Sequence, residues 1–423
     1  MNSVQDNKQP ILSTIFNTKM LICVFTGFAS GLPFYLLIQL MPAWLESEGI
    51  NIKTIGAFTL TQLPYIWKFL WAPFMDNMSL FHLGRRRGWM LLSQVAIFII
   101  IVCLGFFSPQ LDILLIASLS FAIAFFSATQ DVALDAFRRE LLSDKELGLG
   151  NSIHINAYRI AGLVPGSLSL ILSNYFSWDI VFIVTGCFMF PAILMTLLVK
   201  EVSTQVPTKH KIEDIITKPF IEFIQRNGIK SALLILAFIF LYKLGDSMAT
   251  SLATPFYLQM GYSRIDIGLI AKNASLWPSV IGALVGGILM IKIGINRALW
   301  LFGIVQVVSI LGFVWLSIEG PFDVISRHQV IILALVISFE ALGVGLGSAA
   351  FVAFIAKTTN PLYTATQFAL FTSFASIPRT LINASTGFMV EYFGWTNFFW
   401  LCTILAIPGM LLLFKVAPWQ VKK

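Results

Sequence analysis

Apolar runs of twenty residues or more recur along this 423-residue chain, from Met20 almost to its C-terminus. A helical span of a bilayer needs about 20 such residues. In hydrocarbon, only helices and closed barrels satisfy every backbone polar group. The runs read as twelve transmembrane helices near 20–45, 52–74, 88–107, 111–141, 149–174, 178–199, 230–259, 264–291, 297–317, 327–356, 362–390 and 394–415. Composition agrees: 57% of residues are hydrophobic, 12% are charged and the mean hydropathy is +0.83. A soluble domain carries roughly twice that charge fraction. The chain is an all-α, polytopic membrane protein. The first run is long enough to span and no small-x-small cleavage site follows it, so no removed leader is expected. Cys23, Cys103, Cys187 and Cys402 all lie in apolar runs and no CxxC occurs. They read as free thiols acting as small hydrophobes, and neither a disulfide, a metal centre nor a cofactor is expected.

The net charge of +7 has a topological explanation. With the N-terminus inside, twenty Lys and Arg residues fall on the side of the termini and three (Lys53, Arg264, Arg327) on the other. This positive-inside bias places both termini in the cytoplasm and the loops at 46–52 and 319–323 outside. No basic tract with interleaved aromatics projects from a soluble domain, so a nucleic-acid partner is not expected. One long polar segment, 201–229, carries Pro207 and Pro219 and divides the chain into an N-terminal bundle (1–200) and a C-terminal bundle (230–423) of six spans each. Within it, Ile212-Glu213-Asp214-Ile215-Ile216 has the pattern of an amphipathic helix on the membrane surface.

The two halves repeat. Tyr175-Phe176-Ser177-Trp178 with Phe182 and Pro191 matches Tyr392-Phe393-Gly394-Trp395 with Phe399 and Pro408 at an offset of 217. Pro42, Leu45, Gly49 and Gly56 match Pro255, Leu258, Gly261 and Gly268 at offsets of 213 and 212. Duplicated six-helix bundles related by an axis along the membrane normal are the architecture of major facilitator transporters. The loop holding Asp76 and Gly84-Arg85-Arg86-Arg87 resembles that superfamily's signature between spans two and three. The resemblance implies a cytoplasmic gate latch of Asp76, Arg85 and Arg86 with Arg138 or Arg139. Taken as residues alone, the arginines are equally a positive-inside anchor.

Nine ionisable residues fall within spans: Lys68, Asp131, Asp135, Arg159, Lys243, Asp246, Lys272, Glu340 and Arg379. Charges at membrane depth face a partner or a cavity. Asp131 and Asp135 are one turn apart on one helix face. Asp135 is within reach of Arg139 as a helix-end pair, which leaves Asp131 without an assigned role. Asp131 and Arg159 are each fourteen residues from the turn at Lys145, and Glu340 and Arg379 are twenty and nineteen from the turn at Asn360. Each half therefore carries a depth-matched acid and arginine in one hairpin. Such pairs either neutralise each other and join helices, or couple protons to an anionic substrate. On the second reading Asp131 is the leading proton carrier, followed by Glu340 and Asp135. Arg159, Arg379, Lys243, Lys272, Lys68 and Asp246 are then substrate-binding candidates. Lys243 and Asp246, at i and i+3, are also able to satisfy each other.

Small residues at Gly27/Gly31, Gly162/Gly166, Gly282/Gly286 and Gly343/Gly347 are spaced for close helix contact. Pro33, Pro165, Pro255, Pro278 and Pro378 bend or weaken their spans, and the freed carbonyls need other donors. Trp67, Trp71 and Trp277 are either packing and interfacial anchors or platforms for a sugar face. No Gly-x4-Gly-Lys-[Ser/Thr], His-Glu-x2-His or Gly-x-Ser-x-Gly motif occurs, so neither ATP-driven transport nor a membrane hydrolase is expected.

Several stretches resemble the muropeptide permease (AmpG) family. They are Gly27-Phe28-Ala29-Ser30-Gly31-Leu32-Pro33, Leu63-Pro64-Tyr65 with Lys68-Phe69-Leu70-Trp71-Ala72-Pro73 and Asp76, Gly84-Arg85-Arg86-Arg87-Gly88-Trp89, and Ser127 to Asp135 followed by Tyr158-Arg159. The match covers most of the first half, with Ala128-Thr129-Gln130-Asp131 and Asp135 at its core, and it adds Gln130 and Tyr158 to the binding candidates. The resemblance implies proton-driven import of anhydromuropeptides, the sugar–peptide fragments of the cell wall, across the bacterial inner membrane by a monomer. Characterised members are longer, and a relative that carries acetyl-CoA shares the Gln-Asp-x3-Asp element. A nucleotide or CoA derivative is therefore the alternative cargo, and a non-transporting receptor the alternative role.

Overall fold

The computed structural model describes residues 17–50, 54–55, 58–81, 83–202, 212–262, 267, 272–378 and 382–419, with backbone alone at 59, 212–216, 254, 272 and 384. All regular structure among them is helical. Six spans precede a linker helix, Ile212–Asn227, and six follow it. We number them α1 (Thr18–Ser47), α2 (irregular turns from Phe58 to Asn77), α3 (Arg87–Leu104), α4 (Ile113–Leu141), α5 (Leu147–Leu172), α6 (Trp178–Leu198) and α7 (Ile229–Ser251 with Ala253–Gln259). The continuous stretch Lys272–Glu319 is two spans, α8 and α9, meeting at Gly294, whose φ of 78° is left-handed. α10 is Arg327–Thr358; α11 starts at Thr364 and meets α12 at Gly394, φ 74°. Glycine adopts that backbone without a Cβ penalty, which is why the chain reverses there with no intervening loop. Among the described residues nine stretches meet the length and hydropathy of a membrane span; separating α8 from α9 and counting the broken α2 and the first part of α11 gives twelve.

Proline and glycine set the irregularities. Pro64 and Pro73 begin two short helical segments of α2, and 3₁₀ turns fill the gaps around them. α1 widens into a π turn at Leu36–Leu40 after Pro33, and α5 does so at Val164–Leu168 around Pro165. Between these two spans a Cβ on Gly27 would lie 2.1 Å from the His154 carbonyl oxygen, and one on Gly31 2.2 Å from that of Tyr158. The backbones of α1 and α5 thus pack directly on one another, as small-residue spacing allows.

The duplication read from the sequence reappears as equivalent packing. Trp178 and Phe182 at the start of α6 pack on Trp44 at the end of α1, with ring centroids 6.1 and 4.8 Å away. Trp395 and Phe399 at the start of α12 pack on Phe256 near the end of α7, at 5.0 and 4.7 Å.

Among the described residues the core joins the halves at one end. At the end carrying most Lys and Arg, here the basic end, two apolar clusters bridge the halves. One unites Met20, Leu142 and Leu147 with Met290, Phe351 and Phe354. The other unites Met75, Met90 and Phe137 with Ala365 and Ala369. Toward the opposite end each half keeps its own cluster, around Trp44 in the first and Phe256 in the second.

Candidate functional site

The basic end is closed by a buried charge network. Arg86 donates to Asp76 Oδ1 at 2.7 Å and to Glu140 Oε1 at 2.6 Å, and Arg85 donates to Glu140 Oε1 at 3.0 Å. Asp76 is fully buried, and its two oxygens also accept from the backbone N–H of Ala365 (3.2 Å) and Thr366 (2.8 Å) and from Thr366 Oγ (2.6 Å). A carboxylate of the first half thus caps the N-terminus of α11 in the second, where orphan N–H groups and the helix dipole favour an anion. Burial alone lowers the pKa of Arg86, but Asp76 and Glu140 outweigh it and leave the guanidinium more firmly charged than usual. Arg85 is shifted down, by burial first and by the adjacent Arg86 second. Beside this latch, Ser152 donates to the Ala283 carbonyl, and Gly287 lets α8 approach the Ser152 side chain. The linker helix adds a clamp: Glu222 accepts from Asn360 and Gln367, both at 2.6 Å.

The latch uses partners other than those expected. Arg138 points into the first half, where it bonds Asp135 (2.7 Å), Asn151 (2.7 Å) and His154 Nδ1 (2.9 Å). Arg139 reaches Asp144 at 3.1 Å. The acid that joins Asp76 around the arginines is Glu140, one residue further along α4. Three residues separate Asp135 from Arg138 and four separate it from Arg139; the i+3 pairing wins because Asn151 and His154 of α5 complete the donor set of Arg138.

At the middle of the first half, Ser30 donates to Asp131 Oδ1 at 2.6 Å, and Lys68, itself 7% exposed, is the strongest cationic influence on that carboxylate. Depth matching paired Asp131 with Arg159, and here the structure differs. Arg159 lies within electrostatic reach of Glu340 and Asp246 of the second half and of Tyr35 and Tyr158 of its own, and Asp131 is not among these influences. Residue counting gives depth along a helix but not azimuth, and α5 turns Arg159 across the divide. In the second half Lys243 pairs with Asp246 at 2.7 Å, as the i,i+3 spacing allows, and Gln306 approaches the same carboxylate at 3.4 Å. Glu340 is 6% exposed and close to both Asp246 and Lys243. Arg379 and the side chain of Lys272 lie outside the described residues.

Among the described residues, buried polar atoms with no hydrogen-bond partner occur on several helices of both halves. They include Asn156 Nδ2 and Oδ1 and Arg159 Nη1 on α5, Asp246 Oδ1 on α7, Glu340 Oε1 on α10 and Ser373 Oγ on α11. Buried polar groups are normally satisfied, so this set reads as chemistry for a polar solute crossing between the halves. Asn156, Gln306 and Ser373 were not singled out in the sequence. Nothing but their occurrence inside apolar runs marks them.

A family model described as the Major Facilitator Superfamily matches residues 23–377. The anhydromuropeptide permease of Escherichia coli (strain K12) is 37% identical over 394 residues, covering 93% of this chain and 78% of that protein. The chain belongs to the AmpG family of the Major Facilitator Superfamily. An uncharacterized protein of Haemophilus influenzae is 52% identical over 408 residues, 96% of each chain. The solved structure of the human organic anion transporter MFSD10 (TETRAN) aligns with a TM-score of 0.71 at 14% identity, over 96% of this chain and all of that one, which shows the fold. The protein is a multi-pass membrane transporter.

In this AmpG-family chain Gln130 has a structural task. Pro33 has no N–H for the carbonyl of Ala29, four residues before it, and Gln130 Nε2 donates to that oxygen at 2.7 Å. A Gln130→Leu variant should lower thermal stability by about 1–3 kcal/mol, the cost of leaving a buried carbonyl unpaired. Scanning calorimetry or a fluorescence melt of the purified protein checks this, and an unchanged melting temperature counts against it.

Arg159→Gln should raise the half-saturating substrate concentration about tenfold or more, because a buried charge-assisted bond carries roughly 1.5–3 kcal/mol. Uptake at wild-type apparent affinity would remove Arg159 from the binding site.

Proposed function

We propose that this protein imports anhydromuropeptides into the bacterial cytoplasm, coupled to protons, by alternating access. The observation that carries this reading is the 37% identity to the Escherichia coli anhydromuropeptide permease over 93% of the chain. The site suits such a cargo. The cations Arg159, Lys243 and Lys68 supply contacts for peptide carboxylates, and the unpartnered amide and hydroxyl groups between the halves suit sugar hydroxyls and peptide bonds. Asp131, Glu340 and Asp135 are the acids available to carry a proton, in that order.

The basic end is the cytoplasmic end of a monomer in the inner membrane, with both termini inside. Its latch is closed, so the arrangement is the one that receives solute from the periplasm. Release requires the bonds from Asp76 to Ala365 and Thr366 to break and the bridging apolar clusters to separate. The topology has its own check. In intact spheroplasts of a cysteine-free background, an impermeant maleimide should label Ser47→Cys and leave Lys200→Cys unlabelled; the reverse pattern overturns the orientation.

Competition identifies the cargo. Uptake of a labelled anhydromuropeptide should be suppressed by excess unlabelled anhydromuropeptide and unaffected by nucleotides or CoA derivatives. Suppression by the latter alone transfers the assignment to a bulky anion of that kind. Binding with no accumulation of any cargo makes the protein a receptor.

A further inference from the structure

Four aromatic side chains meet in the first half: Phe34 and Tyr35 on α1, Tyr65 on α2 and Tyr158 on α5. Phe34 is central, with ring centroids 5.6 Å from Tyr35, 5.6 Å from Tyr65 and 5.9 Å from Tyr158. Tyr35 and Tyr158 are 5.4 Å apart. All four are partly exposed, unlike the fully buried aromatic packing at the opposite end, where Trp44 and Phe182 are at most 1% exposed. Local structure is shaped around the group. The π turn of α1 begins immediately after Tyr35, and a Cβ on Gly162 would come within 2.9 Å of the Tyr35 ring. Three of the four rings carry a hydroxyl. Tyr35 and Tyr158 lie within electrostatic reach of Arg159, and Tyr65 within that of Asp131.

We propose that this cluster is a saccharide subsite. A pyranose ring presents a face of C–H groups and a rim of hydroxyls. Tilted, partly exposed rings with peripheral hydroxyls offer the apolar face and hydrogen-bonding edge that such a ring needs. Arg159, at the margin of the cluster, then takes a carboxylate of the attached peptide. The substrate lies with its sugar on the first half and its peptide directed toward the second; Asn156 of α5, on the first half, holds two buried polar atoms with no hydrogen-bond partner among the described residues. Of the tryptophans that the sequence offered as stacking platforms, Trp67 and Trp277 are 49% and 53% exposed and belong to no ring cluster among the described residues, and Trp71 is committed to Phe125 and Thr129.

The inference rests on the muropeptide reading, and the experiment separates the two. In proteoliposomes, wild-type protein is first tested for uptake of an anhydromuropeptide; no uptake defeats the function, whatever the cluster does. Given uptake, Phe34→Leu should raise the half-saturating concentration roughly 5- to 10-fold, the scale of one lost aromatic contact, while Phe34→Tyr stays near wild type. Equal values in wild type and Phe34→Leu overturn the subsite. A measurement on the wild-type protein stands beside these should the leucine variant fail to reach the membrane. Saturation transferred from the protein's aromatic protons should label the pyranose C–H protons of the bound ligand more strongly than its peptide methyls; stronger peptide labelling places the sugar elsewhere.

Discussion

An Asp131→Asn variant is expected to lose uphill accumulation and keep downhill exchange. Asp131 sits at mid-span on α4, takes a 2.6 Å hydrogen bond from Ser30 and lies under the influence of Lys68, Asp135 and Arg138. In such a setting desolvation favours the neutral carboxyl and the cations favour the ionised one, so a small movement of Lys68 or Arg138 shifts the balance. That is the property a proton carrier needs. Asn keeps the shape and the bond to Ser30 but does not titrate. For one proton per substrate, each pH unit of gradient sustains about tenfold accumulation. The variant should fall to a ratio near one while still exchanging labelled for unlabelled substrate. Asp135→Asn is the comparison, since Arg138 holds Asp135 at 2.7 Å. Wild-type accumulation with wild-type pH dependence in Asp131→Asn moves the role to Glu340.

The second large effect belongs to the latch. Asp76→Ala removes three hydrogen bonds that cross to α11 and one partner of a buried arginine. Removing one member of a buried ion pair costs about 3–5 kcal/mol. Because the bonds to Ala365 and Thr366 exist only while the basic end is closed, much of that cost falls on one state of the cycle. The variant should populate the state open at the basic end. Thr366→Val removes only the hydroxyl contact and should act in the same direction by about 1.5–3 kcal/mol. Distances between spin labels on α2 and α11 at the basic end read the shift: broadened, longer distributions in both variants are expected. Distributions identical to wild type would mean that Asp76 stabilises the first half alone.

Much of this was written in the chain. The apolar runs located the spans, whereas the left-handed glycines at two of the reversals, Gly294 and Gly394, were not read as turns. The offset of 217 foretold the matched packing of Trp178 on Trp44 and Trp395 on Phe256. Asp76 and the arginines of the next loop were read as one group, and Asp76 does pair with Arg86, with Glu140 rather than Arg138 or Arg139 as the further partner. Side-chain azimuth was not legible. Counting residues from a turn placed Asp131 and Arg159 at one depth but gave no sign that Arg159 faces Glu340 and Asp246 across the divide. The task of Gln130 was hidden for a similar reason. It depends on a carbonyl freed by a proline 97 positions earlier in the chain, brought alongside only by the packing of α1 on α4.

The central claim, proton-coupled import of anhydromuropeptide, is tested most directly in proteoliposomes holding the purified protein. Labelled anhydromuropeptide is added outside at acidic pH with a neutral lumen, and the internal concentration is followed with and without a protonophore. Accumulation above the external concentration is expected, and it should collapse when the protonophore is added. Uptake that only equilibrates, whatever the gradient, would contradict it.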